Sequence, residues 1–446
     1  MKTPFNLPRR KTSLPLFERM GPHFRSDVNR RNFWLGVTNG VFYAGAEALT
    51  DPSLVLTYFT SLLTSSKFLV GLVAPIRIGG WFLPQLLVSG YVQRQERKLQ
   101  IYSRLGIPRA LAWGLIVLSL WFVRDPVVLL ALFFVFLIIY SLAEGVAGLS
   151  FMDVVGKVVP LHRRGAFFGA RRLLGGILAL GASVMVGWSL SEKSGLPFPH
   201  DFALLFGLSF VCISLALFAF ARIDEPVEPV SHERIGMSAQ IQRAGRLPRQ
   251  DPTYGRFLSA RLLMVIADMA VPFYVVFAKE SLGAPPALVG VYLATTTLSA
   301  LLANLWAARA SDRQGNRQVL VVACLVGVAS TALALLFDWL RGPALLFAVT
   351  FALNGVYNTA AWVAHFNFLL EVAPPGDRPI YVGTANTLMG MAILASSGGG
   401  ALVDWLGFSA LFGLAFGALL VATGITLSIR EPRSERGGGL RNEGEG

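Results

Sequence analysis

The stretch AARASDRQGNR, residues 307–317, decides the fold, and it has a counterpart in SGYVQRQERK at residues 89–98. Both stretches place a small residue four positions before a polar residue that arginine follows at once: Asp312-Arg313 in one and Gln93-Arg94 in the other. Further basic residues come next, and a long apolar run lies on either side of each stretch. The same spacing, repeated 219 residues apart, predicts that the chain contains two copies of one unit.

Two further patterns recur at nearly the same offset. Leu-Val-Gly occurs at 69–71 and again at 288–290, 219 residues later. A charged residue, Lys157 in one copy and Glu371 in the other, is followed by Pro, Arg and Gly three, seven and twelve positions later, and this spacing recurs after 214 residues. Three recurrences at almost constant distance support an internal duplication.

Composition points to a membrane protein. Hydrophobic residues make up 54% of the chain and charged residues only 15%, with a mean hydropathy of +0.57. Soluble domains of this length contain more charge, and the apolar runs reach the roughly 20 residues that a transmembrane helix needs. Cys212 and Cys324 both lie in apolar runs without metal-ligand spacing, so we expect neither a disulfide nor a metal site.

The net charge of +13 follows the loops and does not form a nucleic-acid patch. Of the 39 Lys and Arg residues, 33 lie in the two tails and in alternate connecting segments. Only five lie in the intervening short loops, and Arg77 lies inside an apolar run. The positive-inside rule therefore predicts an even number of spans with both termini in the cytoplasm.

These motifs resemble those of the major facilitator superfamily. Its most recognisable sequence, small-x3-Asp-Arg-x-Gly-x-Arg, joins the second and third helices of each half. The second copy matches through Asp312, Arg313, Gly315 and Arg317, whereas the first has Gln93 in place of the acid and Glu96 in place of the glycine. The resemblance covers about residues 32–430 and implies the fold, but it says almost nothing about the substrate.

The prediction is an all-α integral membrane protein with twelve transmembrane helices in two six-helix pseudo-symmetric halves. We expect a basic cytoplasmic tail at 1–32, a first bundle at 33–222, a cytoplasmic linker at 223–255, a second bundle at 256–429 and a disordered cytoplasmic tail at 430–446. The predicted spans 1 to 6 are 33–63, 68–92, 108–123, 127–155, a span that follows the basic loop 156–172 and ends at about 190, and 202–221. The predicted spans 7 to 12 are 256–277, 287–308, 318–337, 343–370, 380–403 and 405–429.

Five charged residues lie well inside these spans: Glu47, Asp51, Arg77, Glu144 and Asp268. A charged side chain at mid-bilayer costs roughly 2.5 to 3.5 kcal/mol, so we expect these groups to face partners or water. Asp51 and Arg77 lie at similar depth on either side of the turn at 64–66, which predicts an ion pair between spans 1 and 2. A purely structural role for that pair is an equal alternative.

Polar stripes occur on spans 1, 4, 7 and 10, because residues four, seven or eleven apart share a helix face. Their members are Asn39, Tyr43, Glu47 and Asp51; Tyr140 and Glu144; Arg261 and Asp268; and Asn354, Asn358 and His365. In the family these four spans line a central cavity, and the resemblance implies the same here. We expect Arg261 to extend to the membrane surface and His365 to be wetted at the inner end of span 10.

Within that cavity, Glu47, Glu144 and Asp268 are candidate proton sites, because removal from water penalises the charged form of a carboxyl group. The predicted substrate and proton site also includes Asn39, Tyr43, Asp51, Arg77, Asn354 and Asn358. One or two of the acids have the alternative role of structural ion pairs. Three acids against one arginine favour a cationic or neutral solute.

The resemblance also implies a cytoplasmic gate. Asp312 would face the start of span 5 in the other half, where the helix dipole favours a carboxylate, and Arg313 would pair with Glu371. In the first half, Arg94 would pair with Asp153. An alternative is that the charges of these loops serve only to orient the chain.

We therefore predict a secondary transporter that moves a small organic solute by alternating access, with H⁺ as the coupling ion and no other cofactor. We expect a monomer in the inner cell membrane, in contact with lipids and without a nucleic-acid partner. The alternatives are an uncoupled facilitator, a lipid or drug exporter, and a non-transporting membrane sensor. An enzyme is not expected, since no span carries His-Glu-x-x-His or Gly-x-Ser-x-Gly.

Overall fold

The computed structural model describes residues 22–227, 246–374, 378–429 and 431, and its described segments confirm the twelve-span fold. In the first half, the helices are Pro22–Leu49 and Val55–Leu63 (span 1), Lys67–Gln93 (span 2), Lys98–Phe122 (span 3), Pro126–Val158 (span 4), Arg164–Ser189 (span 5) and His200–Ala221 (span 6). In the second half, they are Pro252–Asp268 and Val271–Ser281 (span 7), Leu288–Gln314 (span 8), Asn316–Leu340 (span 9) and Ala348–Val372 (span 10). The last two helical segments are Arg378–Ala395 and Gly399–Ser428, and the second of them is kinked at Gly407. Span 11 is the part before Gly407, and span 12 is the part after it.

Several helices begin earlier than the apolar runs predict. Span 1 begins at Pro22 and span 3 at Lys98, eleven and ten residues before their predicted starts. The sequence prediction placed the boundary of each span where charged residues occur. Basic side chains at helix ends can reach water while their backbone stays helical, so the helices continue.

Nine described segments are long and apolar enough to cross a membrane, and one of them, Ile380–Ser428, contains both spans 11 and 12. Span 1 is not among the nine because its long helix Pro22–Leu49 carries charged and polar residues such as Asn39 and Glu47. Span 10 is also not among them, because it carries polar residues such as Asn354 and Asn358. The chain is therefore a multi-pass membrane protein.

Helix packing repeats between the halves. Span 1 packs on spans 5 and 6, span 4 on spans 2 and 3, and span 3 on span 6. Each of these pairs recurs six spans later in the second half. The packing thus shows the internal duplication directly.

The halves meet through span 2 against span 11 and span 5 against span 8. Glycines make the closest approaches. A Cβ on Gly71 would lie 3.2 Å from the Gly400 nitrogen, and one on Gly290 would lie 2.6 Å from the Ser183 carbonyl oxygen and meet the Gly187 backbone. A side chain at Gly290 would overlap backbone atoms, and one at Gly71 would crowd them. Gly71 and Gly290 are the glycines of the repeated Leu-Val-Gly pattern, and small residues of this kind permit close helix packing.

We use two names for the ends of the bundle. The hairpin end carries the turns at 64–66, 123–125, 190–199, 282–287 and 341–347 and the kink at Gly407. The basic end carries the turns at 94–97 and 159–163 and at Gly315, the residue that joins spans 8 and 9 at a φ of 91°.

Candidate functional site

Four charged side chains from four spans form a cluster in the first half. Arg77 of span 2 forms ion pairs with Glu47 of span 1 and with Glu144 of span 4. The Nη2 of Arg109, on span 3, lies 3.4 Å from the Glu144 Oε1. Two arginines and two glutamates make the cluster neutral, which permits its burial within the membrane.

Exposure separates the roles of the two glutamates. The Glu144 side chain is only 4% exposed and is held between two arginines. The Glu47 side chain is 40% exposed, whereas the Arg77 side chain behind it is 9% exposed. Glu47 is therefore the acid of this cluster that solvent can reach.

Aromatic rings support the two arginines. The Arg77 guanidinium lies 4.9 Å from the centre of the Tyr140 ring, and that of Arg109 lies 5.6 Å from the same ring. The Tyr102 ring is 5.8 Å from the Arg109 guanidinium. Tyr140 precedes Glu144 by one turn, so one face of span 4 presents both the counter-charge and the ring.

The predicted ion pair between Asp51 and Arg77 is wrong, because Arg77 pairs with Glu47, one turn earlier. Asp51 Oδ1 instead accepts hydrogen bonds from the backbone nitrogens of Ser53 and Leu54, at 2.9 and 2.8 Å. Pro52 interrupts span 1 and leaves the first N–H groups of the next helical segment without helical partners. Asp51 satisfies those groups and has a structural role here.

Asn39 also makes contacts inside its own half. Its amide nitrogen donates to the Ala216 carbonyl at 2.8 Å and to the Tyr102 hydroxyl at 3.2 Å. Its oxygen accepts a hydrogen bond from Arg171 at 3.0 Å. Asn39 thus ties span 1 to spans 3, 5 and 6, while Tyr43 is half-buried one turn along the helix.

In the second half, the stripes of spans 7 and 10 lie together. Asp268 and Asn354 both line a small cavity of about 10 Å³ with Tyr274 and Tyr357. The Asn358 amide nitrogen donates to the Asn354 oxygen at 3.1 Å. The cavity has room for about one water molecule, so this polar pocket is closed to a larger solute in the present conformation.

Two expectations for the second half are wrong. Arg261 does not extend to the membrane surface but is 3% exposed, and His365 is fully buried and not wetted. The count of one intramembrane arginine is therefore also wrong, because Arg109 and Arg261 are buried as well. The preference for cationic or neutral solutes, which rested on that count, loses its basis.

At the basic end, Asp153 pairs with Lys98 at 2.9 Å, not with Arg94, which is exposed at the end of span 2. Lys98 begins span 3 and is one turn beyond Arg94, so its long side chain reaches span 4. Asp312 and Arg313 are exposed in the last turn of span 8, and Glu371 is half-buried near the end of span 10. Their expected pairings stay predictions.

In each half, a glutamate that follows the last span connects chain segments at the basic end, and the sequence prediction missed both of these glutamates. Glu225 accepts hydrogen bonds from the backbone nitrogens of Lys98 and Leu99, at 3.0 and 2.8 Å, and from Lys157 at 3.0 Å. Glu431 accepts one from the Arg317 nitrogen at 3.1 Å. The signal was available: Ile-x-Glu-Pro occurs at 223–226 and at 429–432.

Polar contacts also join the two halves at the hairpin end. Lys67 pairs with Glu280, and Lys279 donates to the Ser61 carbonyl at 2.8 Å. The Asp404 carboxylate accepts hydrogen bonds from the first backbone nitrogens of span 2, each at 3.2 Å. We call these the hairpin-end contacts. Together with the glycine contacts, they close this end of the molecule.

Comparisons with known proteins agree on the fold, and the second half of the chain matches a family model. Residues 256–445 match the sequence model of the Major Facilitator Superfamily. The solved structure of a D-xylose-proton symporter has a TM-score of 0.68 over 92% of this chain and 99% of its own, at 14% identity. At such low identity, the likeness shows the fold.

Curated relatives match in part. A Mycobacterium tuberculosis protein named "Uncharacterized protein Rv2209" is 20% identical over 256 residues, which are 56% of this chain and 48% of that protein. The Escherichia coli "Sugar efflux transporter C" is 31% identical over 124 residues, 27% of this chain and 31% of the transporter. The chain therefore spans about half the length of the mycobacterial relative and about a third of the sugar transporter.

Proposed function

We propose that this chain is a member of the major facilitator superfamily and carries a small polar organic solute across the membrane together with protons. Sugar-like solutes are the first candidates, because the names of a partial relative and of a structural neighbour refer to sugars. The proposal of proton coupling rests on the cluster of Glu47, Arg77, Glu144 and Arg109, in which Glu47 is the acid that solvent can reach.

Proton binding to Glu47 removes the charge that holds it to Arg77. Arg77 then keeps one counter-charge, Glu144, which Arg109 also contacts. The released donors of Arg77 become available to a polar solute or to water. Solute binding and protonation are thereby linked through one guanidinium, the basis of coupled transport.

Alternating access requires one closed end at a time. The hairpin end is closed here by the glycine contacts and by Lys67, Lys279 and Asp404. We propose that these contacts break when the opposite state forms. The excess of Lys and Arg at the basic end supports a cytoplasmic position for that end and for both termini.

The test uses the purified protein in liposomes that contain a pH-sensitive dye. Addition of a transported sugar is expected to move protons across the membrane, and exchange of labelled for unlabelled sugar measures binding and passage alone. Glu47→Gln is expected to abolish the proton signal and to keep exchange. Glu192→Gln, at an exposed carboxylate on a hairpin-end turn, serves as the matched control.

Loss of neither activity in Glu47→Gln would show that the proton is carried elsewhere. Exchange of sugar without any proton movement in the native protein would instead support the uncoupled facilitator. The same measurement therefore separates the two forms of transport that the fold permits.

A further inference from the structure

Arg261 is a buried cation whose charge is only partly offset by the described residues around it. Its side chain lies on span 7, and among the described residues it donates a hydrogen bond from Nη1 to the Met264 sulfur, at 3.4 Å. Its Nε has no partner, and it forms no ion pair with any described residue. A guanidinium has five N–H donors, and a thioether is a weak acceptor. By contrast, Arg77 and Arg109 each contact Glu144.

Two more polar side chains with buried atoms that lack a full hydrogen bond among the described residues lie beside Arg261. His365 of span 10 is fully buried, and neither ring nitrogen has a hydrogen-bond partner. The buried Asn386 oxygen of span 11 makes no full hydrogen bond with any described residue either, although the Asn386 side chain lies close enough to the His365 ring to interact with it, and Arg261 lies within electrostatic reach of the same ring. Buried polar groups without partners are uncommon in native structures and point to a ligand or ordered water.

Asp268 is the acid nearest to this group on span 7, two turns from Arg261. It acts on Arg261 electrostatically but forms no ion pair with it. Its Oδ1 also lacks a hydrogen-bond partner. Asp268 therefore offsets the Arg261 charge only in part and leaves the guanidinium donors available.

The group lies directly behind a contact between the two halves. The Trp362 ring is 6.0 Å from the His365 ring and stacks on Phe82 of span 2, with centroids 6.1 Å apart and planes 3° from parallel. Gly390, one turn beyond Asn386, also faces Phe82, because a Cβ there would be 3.0 Å from the Phe82 Cβ. Separation of Phe82 from Trp362 would open a path to the three polar side chains.

We propose that Arg261, His365 and Asn386 form a subsite for an anionic group, the carboxylate or phosphate of the transported solute. The Arg261 fork binds such a group through two parallel N–H bonds, and a ring N–H of His365 and the amide nitrogen of Asn386 can donate further hydrogen bonds to it. The Trp362 ring, next to the subsite, offers a face for the remainder of the solute. The assignment rests on the proposed transport function and names the chemical class of its substrate.

Binding to the purified full-length protein tests the subsite. The probes are sodium gluconate, glucose 6-phosphate and glucose, which offer a carboxylate, a phosphate and no charge on similar frameworks. Thermal unfolding is followed through tryptophan fluorescence. At least one of the two anions is expected to stabilise the protein at lower concentration than glucose does, and the better of the two identifies the anionic group.

Variants of Arg261 then test the assignment. Loss of a charged hydrogen bond weakens binding by about 10- to 100-fold, so Arg261→Gln is expected to lose the preference for the anion over glucose. Arg261→Met is a second variant, because an apolar residue of similar length often restores the stability of a site that held a buried charge. Arg256→Gln, at an exposed arginine that contacts the Ser428 carbonyl, is the matched control.

The subsite assignment is wrong if neither anion is preferred to glucose by the native protein, or if Arg261→Gln and Arg261→Met keep the preference. These outcomes leave the Glu47 experiment unaffected, so the failure of the subsite can be told apart from the failure of proton coupling.

Discussion

Replacement of Asp404 by alanine tests whether the hairpin-end contacts hold one conformation. Asp404 accepts hydrogen bonds from the Lys67 and Phe68 nitrogens at 3.2 Å. Because it belongs to span 11 and these nitrogens to span 2, the bonds exist only while the halves touch. Loss of such a cap costs about 0.5–2 kcal/mol, and the helix dipole adds about 0.3–1 kcal/mol.

The expected result is a change in the ratio of closed to open molecules. A loss of about 1–2 kcal/mol from the closed state alone corresponds to a factor of about 5 to 30 in that ratio. The pair of Lys67 with Glu280 remains in the variant, so we expect a shift of population and not a complete opening.

The assay is a distance measurement between spin labels at the hairpin end. Lys193→Cys in the first half and Leu345→Cys in the second place a label on an exposed residue of each half. Cys212 and Cys324 are replaced beforehand, because both are free thiols. A longer distance is expected to gain population in Asp404→Ala.

Asp125→Ala is the matched control for this experiment. Asp125 caps span 4 through the Val127 and Val128 nitrogens, at 2.8 and 3.0 Å, within one half. Its removal costs similar stability in both conformations and should leave the distances unchanged. Equal distance distributions for Asp404→Ala and the native protein, or equal shifts in both variants, would refute the reasoning.

Three further predictions concern stability and closure. Glu144→Gln removes the counter-charge of Arg109 and is expected to lower the free energy of unfolding by about 3–5 kcal/mol, measured as a lower melting temperature. Its control is Asp153→Asn, which breaks a half-exposed pair and should lower that free energy by less than about 1 kcal/mol. Gly290→Leu should separate spans 5 and 8 and raise the rate at which cysteines introduced at the hairpin end are labelled. Gly417→Ala, at a position with open space around it, should not change that rate. Glu225→Ala removes a pair with Lys157 whose side chains are only 2% and 6% exposed, and it should lower the melting temperature by far more than Asp224→Ala; similar losses in both would contradict the structural role of Glu225.

The duplication, the twelve spans and the meeting of polar faces on spans 7 and 10 were predictable, because periodicity and repeat spacing act over many residues. Which charged residues pair with one another was not predictable. Asp51 and Glu47 lie one turn apart, and only the interruption at Pro52 directs Asp51 to the backbone, so depth alone could not choose between them.

The burial of Arg109 and Arg261 was missed for a different reason. Both lie near the ends of apolar runs, where an arginine usually extends to the membrane surface. Their burial depends on Glu144 of another span in one case and on the packing of spans 7, 10 and 11 in the other. Contacts such as Asp404 with span 2 join residues more than 300 positions apart, and local patterns carry no information about them.

The two glycine contacts between the halves lie near the hairpin end, so while that end stays closed they define a pivot far from the opposite end. Spans 2 and 8 contain 27 residues each, which corresponds to a length of about 40 Å. The far ends lie about 33 and 36 Å from these contacts, so a rotation of about 10° around them would displace each far end by about 6 Å. A gap of that width admits a molecule as large as a monosaccharide, although the atoms at the pivot itself hardly move.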